Sequence, residues 1–245
     1  MLLRPLLLAA LLLTTAACCK KDPTDGVMVH FIIRTDSTQT RLNNIGEPAT
    51  VPAGNAAQSP RFHKISAHYI ELAPTMYTQV GAGEILYHAP ENTLGGATAI
   101  DFDSARVVAP SDTFLSLPLS QLAAGEYQYL RASILYQNYD IDFRLQAQGI
   151  SGTGRIASLV GYNTYLRNLL INQQSITVND DRLQGFWAFE TFGQTFSGQA
   201  PAGATTVPNP LAATSPIPAG SCLVTGAFSQ PLVITGDETE EIGRA

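Results

Sequence analysis

Charge is scarce in this sequence: Asp, Glu, Lys and Arg make up 14% of its 245 residues, against roughly 25% in ordinary soluble domains. The balance is acidic, with 14 basic and 20 acidic residues and a formal net charge of −6. No basic stripe breaks it, which excludes the electrostatic footing that nucleic-acid binding needs. Cysteine is nearly absent. Cys18 and Cys19 are adjacent and Cys222 stands far away, so a disulfide framework is excluded. Long apolar runs are missing too. The uncharged stretch from Pro5 to Cys19 covers 15 residues, short of the roughly 20 that span a bilayer as a helix.

Motifs with catalytic or ligand-holding spacing are also lacking. No Gly-x-Ser-x-Gly elbow occurs. The Gly-rich "GISGTGR" (149–155) lacks the Lys-Ser/Thr of a phosphate loop and reads as a turn. The four histidines, His30, His63, His68 and His88, form no His-x-x-x-His pair and lie far from Cys222. They read as side chains packed in or on a sheet, so no metal is assigned. Asp101-x-Asp103 and Asp140-x-Asp142 each put two carboxylates on one strand face. Neither has EF-hand spacing, and both read as solvated faces. Cys222 reads as a buried structural thiol. No catalytic residue and no cofactor are assigned.

What is present is apolar and β-forming. Hydrophobic residues are 45% of the chain, and 20 Gly and 15 Pro punctuate it. "VMVHFIIRT" (27–35) and "HKISAHYIELA" (63–73) have the β-branched and aromatic content of strands, with a polar loop at 36–60 between them. Shorter strands are expected near 84–88, 97–102, 105–109 and 113–117. The clearest element is 124–147. With Gln137-Asn138 as a two-residue turn, Tyr136 faces Tyr139, Ile134 faces Ile141, Ala132 faces Phe143 and Leu130 faces Leu145. This predicts a hairpin with that apolar face buried and a wet face of Arg131, Ser133, Asp140, Asp142 and Arg144.

Residues 153–165 read as a strand with a turn, with a helix over 155–171 as the alternative. "SITVN" (175–179) and "RLQGFWAFETF" (182–192) read as a strand pair joined by Asn179-Asp180-Asp181. No charge occurs from Thr191 to Gly236; a long ordered loop is expected there, followed by strands at 221–228 and 231–236. Alternation puts Trp187 and Phe189 on one face, with Phe186 and Phe192 on the other. Core packing is the first reading of this cluster. The alternative makes Trp187 and Phe189 a stacking platform for sugar rings or a partner protein.

The start of the chain has the layout of an export signal. Arg4 forms a positive n-region, Leu6 to Leu13 an apolar h-region, and Thr14 to Ala17 a small-residue peptidase site. Thr15-Ala16-Ala17-Cys18 then resembles the lipobox of bacterial lipoproteins, with Ala16-Ala17-Cys18-Cys19 as the competing frame. Cys19-Lys-Lys-Asp22 is similar to the mature start of many Bacteroidota lipoproteins. Asp36-Ser37-Thr38 and Asp103-Ser104-Ala105 resemble the O-glycosylation signal of exported proteins from those bacteria. The resemblance implies cleavage before Cys18 (alternatively Cys19), acylation of that thiol, and display at the outer membrane, with further exposure on the cell surface.

Residues 1–17 are thus expected to be a lipoprotein signal peptide and 18–26 a lipidated tether. Residues 27–245 are expected to form a single all-β domain, an antiparallel β-sandwich with long Pro/Gly-rich loops, ending as a fragment or in a frayed tail. The expected role is non-catalytic: a lipid-anchored cell-envelope protein that binds a glycan or envelope protein, or serves structurally. The alternative is an envelope hydrolase acting on glycans. Radiolabelled palmitate checks the anchor. Cys18→Ala is expected to abolish incorporation into the full chain while Cys19→Ala retains it.

Overall fold

A computed structural model describes residues 26–42, 47–201, 221–236 and 238. The leader, Cys18 and Cys19, the middle of the uncharged stretch and the 241–245 tail lie outside the described residues.

The described residues form an all-β, sandwich-like fold. Its strands are β1 (Met28–Ile32), β2 (Arg61–Ala73), β3 (Glu84–His88), β4 (Glu91–Asn92), β5 (Ala99–Asp101), β6 (Thr113–Pro118), β7 (Gly125–Leu145), β8 (Ile150–Leu159), β9 (Asn163–Leu170), β10 (Ser175–Leu183), β11 (Phe186–Thr191), β12 (Gln194–Gln199) and β13 (Cys222–Ile234). The large sheet runs β12-β11-β8-β7-β2-β3, with β13 also paired to β7. A second sheet runs β10-β9-β5-β4, and β1 pairs with β6. Every ladder is antiparallel except the short parallel pair of β5 and β9. Two apolar clusters fill the interior. Ile100, Leu135, Tyr136, Leu159, Leu166 and Leu169 belong to one; Ile70, Leu72, Phe114, Leu115, Leu119 and Tyr127 belong to the other.

The expected hairpin at 124–147 is instead one unbroken strand of 21 residues. Gln137 and Asn138 lie within it, paired to Ile65 and Lys64 on one side and to Ser158 and Ala157 on the other. Neither adopts the positive φ that a tight hairpin turn requires. Asn138 is 1% exposed. Its amide donates to Tyr136 Oη at 3.0 Å and to the Ile171 carbonyl at 2.7 Å, so the donor group of a residue that resembles a turn former is held within the strand and by a distant segment.

The assignment of faces changes with it. Ser66 pairs with Tyr136, but Ala67 pairs with Ile134, leaving Leu135 as an extra residue in β7. Such a bulge shifts the alternation by one. Arg131, Ser133 and Leu135 are buried before it, and Tyr136, Asn138 and Asp140 after it. Three residues of the expected wet face are therefore inside, while Asp142 and Arg144 stay exposed. Tyr139, Ile141 and Phe143, expected to be buried, are only half-buried, and Leu145 is 49% exposed. Burying charge requires partners. Arg131 Nη1 lies 3.8 Å from Glu71 Oε2, and Glu71 accepts the Gly81 and Gly83 amides at 3.1 and 2.6 Å.

Other expectations divide. The strands near 27–35, 63–73, 84–88, 97–102 and 113–117 are present. Residues 105–109 contribute only a bridge between Val108 and Ile65. Strands β8 and β9 replace the helical alternative for 155–171. β10 pairs with β9, not β11. β11 pairs with β8 and β12, and the Phe192-Gly193 turn has φ of 47° and 71°, the signs a type I′ hairpin needs. β12 thus lies inside the expected loop. The two expected C-terminal strands are one, β13, with an irregularity between Ala227 and Leu232. "GISGTGR" is a turn only at Gly149; the rest opens β8.

The continuous β7 predicts an ordering of side-chain deletions that the hairpin reverses. Leu135→Ala, at a fully buried site, is expected to lower unfolding free energy by about 2–5 kcal/mol. Leu145→Ala is expected to stay within about 1 kcal/mol. Urea denaturation checks both.

Candidate functional site

The outward apolar row of β7 becomes the floor of a groove. Tyr139, Ile141, Phe143 and Leu145 line it together with Ile156 of β8, Trp187 and Phe189 of β11, and Cys222 at the start of β13, enclosing about 660 Å³. Trp187 is 38% exposed and Phe189 half-buried, whereas Phe186 is buried. Phe143 meets Phe189 edge-to-face at 5.5 Å and Phe192 at 6.0 Å.

Two glycines set how these rings lie. A side chain at Gly198 would place its Cβ 2.8 Å from Trp187 Cζ2, and one at Gly154 would overlap the Phe189 ring. The rings therefore rest on neighbouring backbone where cross-strand side chains would stand, an arrangement that only glycine permits. One polar group completes the wall. Gln184 donates its amide to the Val160 carbonyl at 3.0 Å, while its Oε1 is shielded and has no protein partner. Cys222 is half-buried and has no disulfide partner among the described residues, and burial pushes its pKa up, which keeps it in the unreactive thiol form at neutral pH.

A second, polar pocket of about 310 Å³ is lined by Asp140, Arg155, Glu190 and the Asn172-Gln173-Gln174 turn. Asp140 is bonded by Arg155, by Arg61 Nη2 at 2.5 Å and by His63 Nε2 at 2.8 Å. The Arg155 bond is the first cause, ahead of those from Arg61 and His63, of a carboxyl held well below the usual carboxylate range. Glu190 accepts the backbone amides of Asn172, Gln173 and Gln174 at 3.0–3.1 Å. Both carboxylates are thus spent on holding strands and a turn.

The remaining sequence candidates are spread out. Asp142 accepts Thr153 Oγ1 at 2.7 Å, Asp101 accepts Ser104 Oγ at 2.9 Å, and Asp103 pairs with Arg167 at 2.8 Å. His30 bonds Ser116 Oγ at 2.8 Å. His68 and His88, unremarkable in sequence, come together. Their rings lie 4.8 Å apart beside Glu91, whose Oε1 accepts the Tyr162 hydroxyl at 2.7 Å. Burial, then His88, lowers the His68 pKa to about 4, so its imidazole is neutral at pH 7. The sequence signal for this cluster is His88-x-x-Glu91 flanking Pro90; nothing local in sequence points to His68.

The Asp140 cluster predicts an acid-sensitive contribution. A depressed folded-state pKa stabilises the fold above the unfolded-state value of about 3.9, and the contribution is lost as pH falls toward the folded value. Asp140→Asn is expected to cost about 2 kcal/mol at pH 7, reduced by the exposure of Arg61. Urea midpoints from pH 7 to pH 2 are expected to show the two proteins converging below about pH 4.

Comparison with protein-family models, curated proteins and solved structures gives no match to this chain.

Proposed function

We propose that this chain is a lipid-anchored cell-envelope protein of the outer membrane that binds a glycan non-catalytically along the aromatic groove. The anchor rests on the lipobox-like sequence ending at Cys18. A diacylated or triacylated cysteine holds a folded domain at a membrane durably, where a single chain does not, and no helix among the described residues is long and apolar enough to cross a membrane.

The observation that carries the glycan reading is the pair of flat aromatic rings, Trp187 and Phe189, on one wall of the groove. Pyranose rings present apolar C–H faces that stack on Trp187 and Phe189, and they carry hydroxyls at their edges. Trp187 is 38% exposed on the groove and Phe189 lies beside it, half-buried, so both rings can meet the C–H face of a sugar.

The bonding of the carboxylates supports a non-catalytic role over a glycan hydrolase. A glycosidase acid needs its pKa raised so that it is protonated near neutrality. Asp140 is shifted in the opposite direction, and Glu190 is occupied by three backbone amides.

A glycan array probed with the full chain is expected to show retention of a restricted set of glycans. Losing one stacking ring removes about 1–1.5 kcal/mol, so Trp187→Ala and Phe189→Ala are each expected to weaken binding about tenfold. Wild-type retention that neither substitution changes, or retention of no glycan at all, contradicts the proposal. Capture of an envelope protein in place of glycans assigns the groove to a protein partner.

A further inference from the structure

The cluster of His68, His88 and Glu91 stands apart from the groove and has its own chemistry. Its three residues come from elements fixed by backbone pairing. His68 is an extra residue in β2, left over where the ladder to β7 steps from Ala67–Ile134 to Tyr69–Ser133. His88 closes β3 opposite Tyr69. Ala89 donates its amide to the His68 carbonyl at 2.7 Å, and the Pro90 carbonyl accepts the Asp101 amide at 2.8 Å. The chain therefore passes from the large sheet to the second sheet between two anchored points, and Glu91 begins β4 on the far side.

The donor atoms converge. His68 Nε2 is 3.4 Å and His88 Nε2 3.8 Å from Glu91 Oε1, and one ligand atom from each residue falls within 4.8 Å of the others. Metal–ligand bonds of about 2.0–2.1 Å in a tetrahedral site put neighbouring donors about 3.3 Å apart. Two of the three edges are already near that value. The remaining closure falls to His88 and Glu91, whose side chains are 39% and 28% exposed.

One observation points to a ligand independently of the clustering. His68 is fully buried; among the described residues its Nδ1 has no hydrogen-bond partner, and its Nε2 meets only the Glu91 carboxylate, at 3.4 Å and without hydrogen-bond geometry. Its Nε2 is aimed at the cluster, since it is the atom 3.4 Å from Glu91. Buried polar atoms are normally satisfied, and a cation bound to Nε2 would satisfy this one. Tyr162 supplies a further feature of such sites. Its hydroxyl donates to Glu91 Oε1, the outer contact that orients a ligating carboxylate.

We propose that His68, His88 and Glu91 bind a divalent transition-metal ion of the zinc class, with Tyr162 orienting the carboxylate. Two imidazole nitrogens and one carboxylate oxygen suit zinc, or copper when that is available, and disfavour calcium and magnesium, which prefer all-oxygen shells. Three protein ligands leave one position of a tetrahedron open on the exposed side of His88 and Glu91. The ion would join β2 and β3 of one sheet to β4 of the other.

The test titrates the chelator-stripped full chain with zinc chloride, calorimetrically, and with cobalt chloride, by visible absorption. One equivalent of zinc is expected to bind at micromolar or lower concentration and to raise the thermal midpoint, while calcium does neither. Cobalt is expected to give the visible bands of a four-coordinate site. His88→Ala and Glu91→Gln change exposed or half-exposed side chains and leave the apolar cores intact. Each is expected to weaken zinc binding at least tenfold, and Tyr162→Phe by a smaller factor. Absence of saturable binding below about 100 μM overturns the proposal. So does one-equivalent binding that persists unchanged in both His88→Ala and Glu91→Gln, which would place the ion at other donors.

Discussion

The structure depends on one extra residue in its longest strand. On one edge β7 pairs with β2. On the other it pairs with β13 up to Ile134 and with β8 from Tyr136 onward. Leu135 sits at the change of partner, and its carbonyl accepts the amides of both Val160 and Gly161, at 2.7 and 2.9 Å. That bifurcated acceptor fixes the β8–β9 turn at the point where the second sheet begins. Leu135 itself fills the cluster between the sheets beside Ile100 and Leu166.

Both candidate sites follow from this step in register. Shifting the alternation by one turns Tyr136, Asn138 and Asp140 inward and leaves Ile141, Phe143 and Leu145 facing out, where they become the groove floor. Across the ladder, the compensating extra residue in β2 is His68, which brings a buried imidazole to the junction of the two sheets. Without the extra residue, strict alternation from the buried Arg131, Ser133 and Leu135 would have carried Ile141 and Phe143 inward and Asp140 outward. The same irregularity separates a featureless β-domain from one with an apolar groove on one side and a histidine cluster at its sheet junction.

Much of the fold was legible in the sequence. β-branched and aromatic runs located β1, β2, β3 and β6, because strand content there is dense and bounded by Pro and Gly. What failed was pairing and facing. Gln137-Asn138 resembles a turn, but the Asn138 amide donates to the Ile171 carbonyl, 33 residues away, and no local rule sees that. β12 was hidden in an uncharged stretch whose Gly and Ser suggest a loop, although Gly198 is there to make room for Trp187. The candidate platform was half legible: alternation put Trp187 and Phe189 on one face, but whether that face is covered depends on strands distant in sequence. The His68–His88–Glu91 cluster was not legible, because it is assembled by two sheets.

β7 runs unbroken through Gln137 and Asn138, and the outward groove and the placement of Asp140 both require it. Site-resolved amide hydrogen exchange measures this directly. A strand flanked on both edges by β2 and β8 predicts slow exchange at Gln137 and Asn138, comparable to that at Tyr136 and Tyr139, because opening there requires unfolding of the sheet. Fast exchange confined to Gln137 and Asn138, with protection on either side, would contradict the account and restore a hairpin turn at that position.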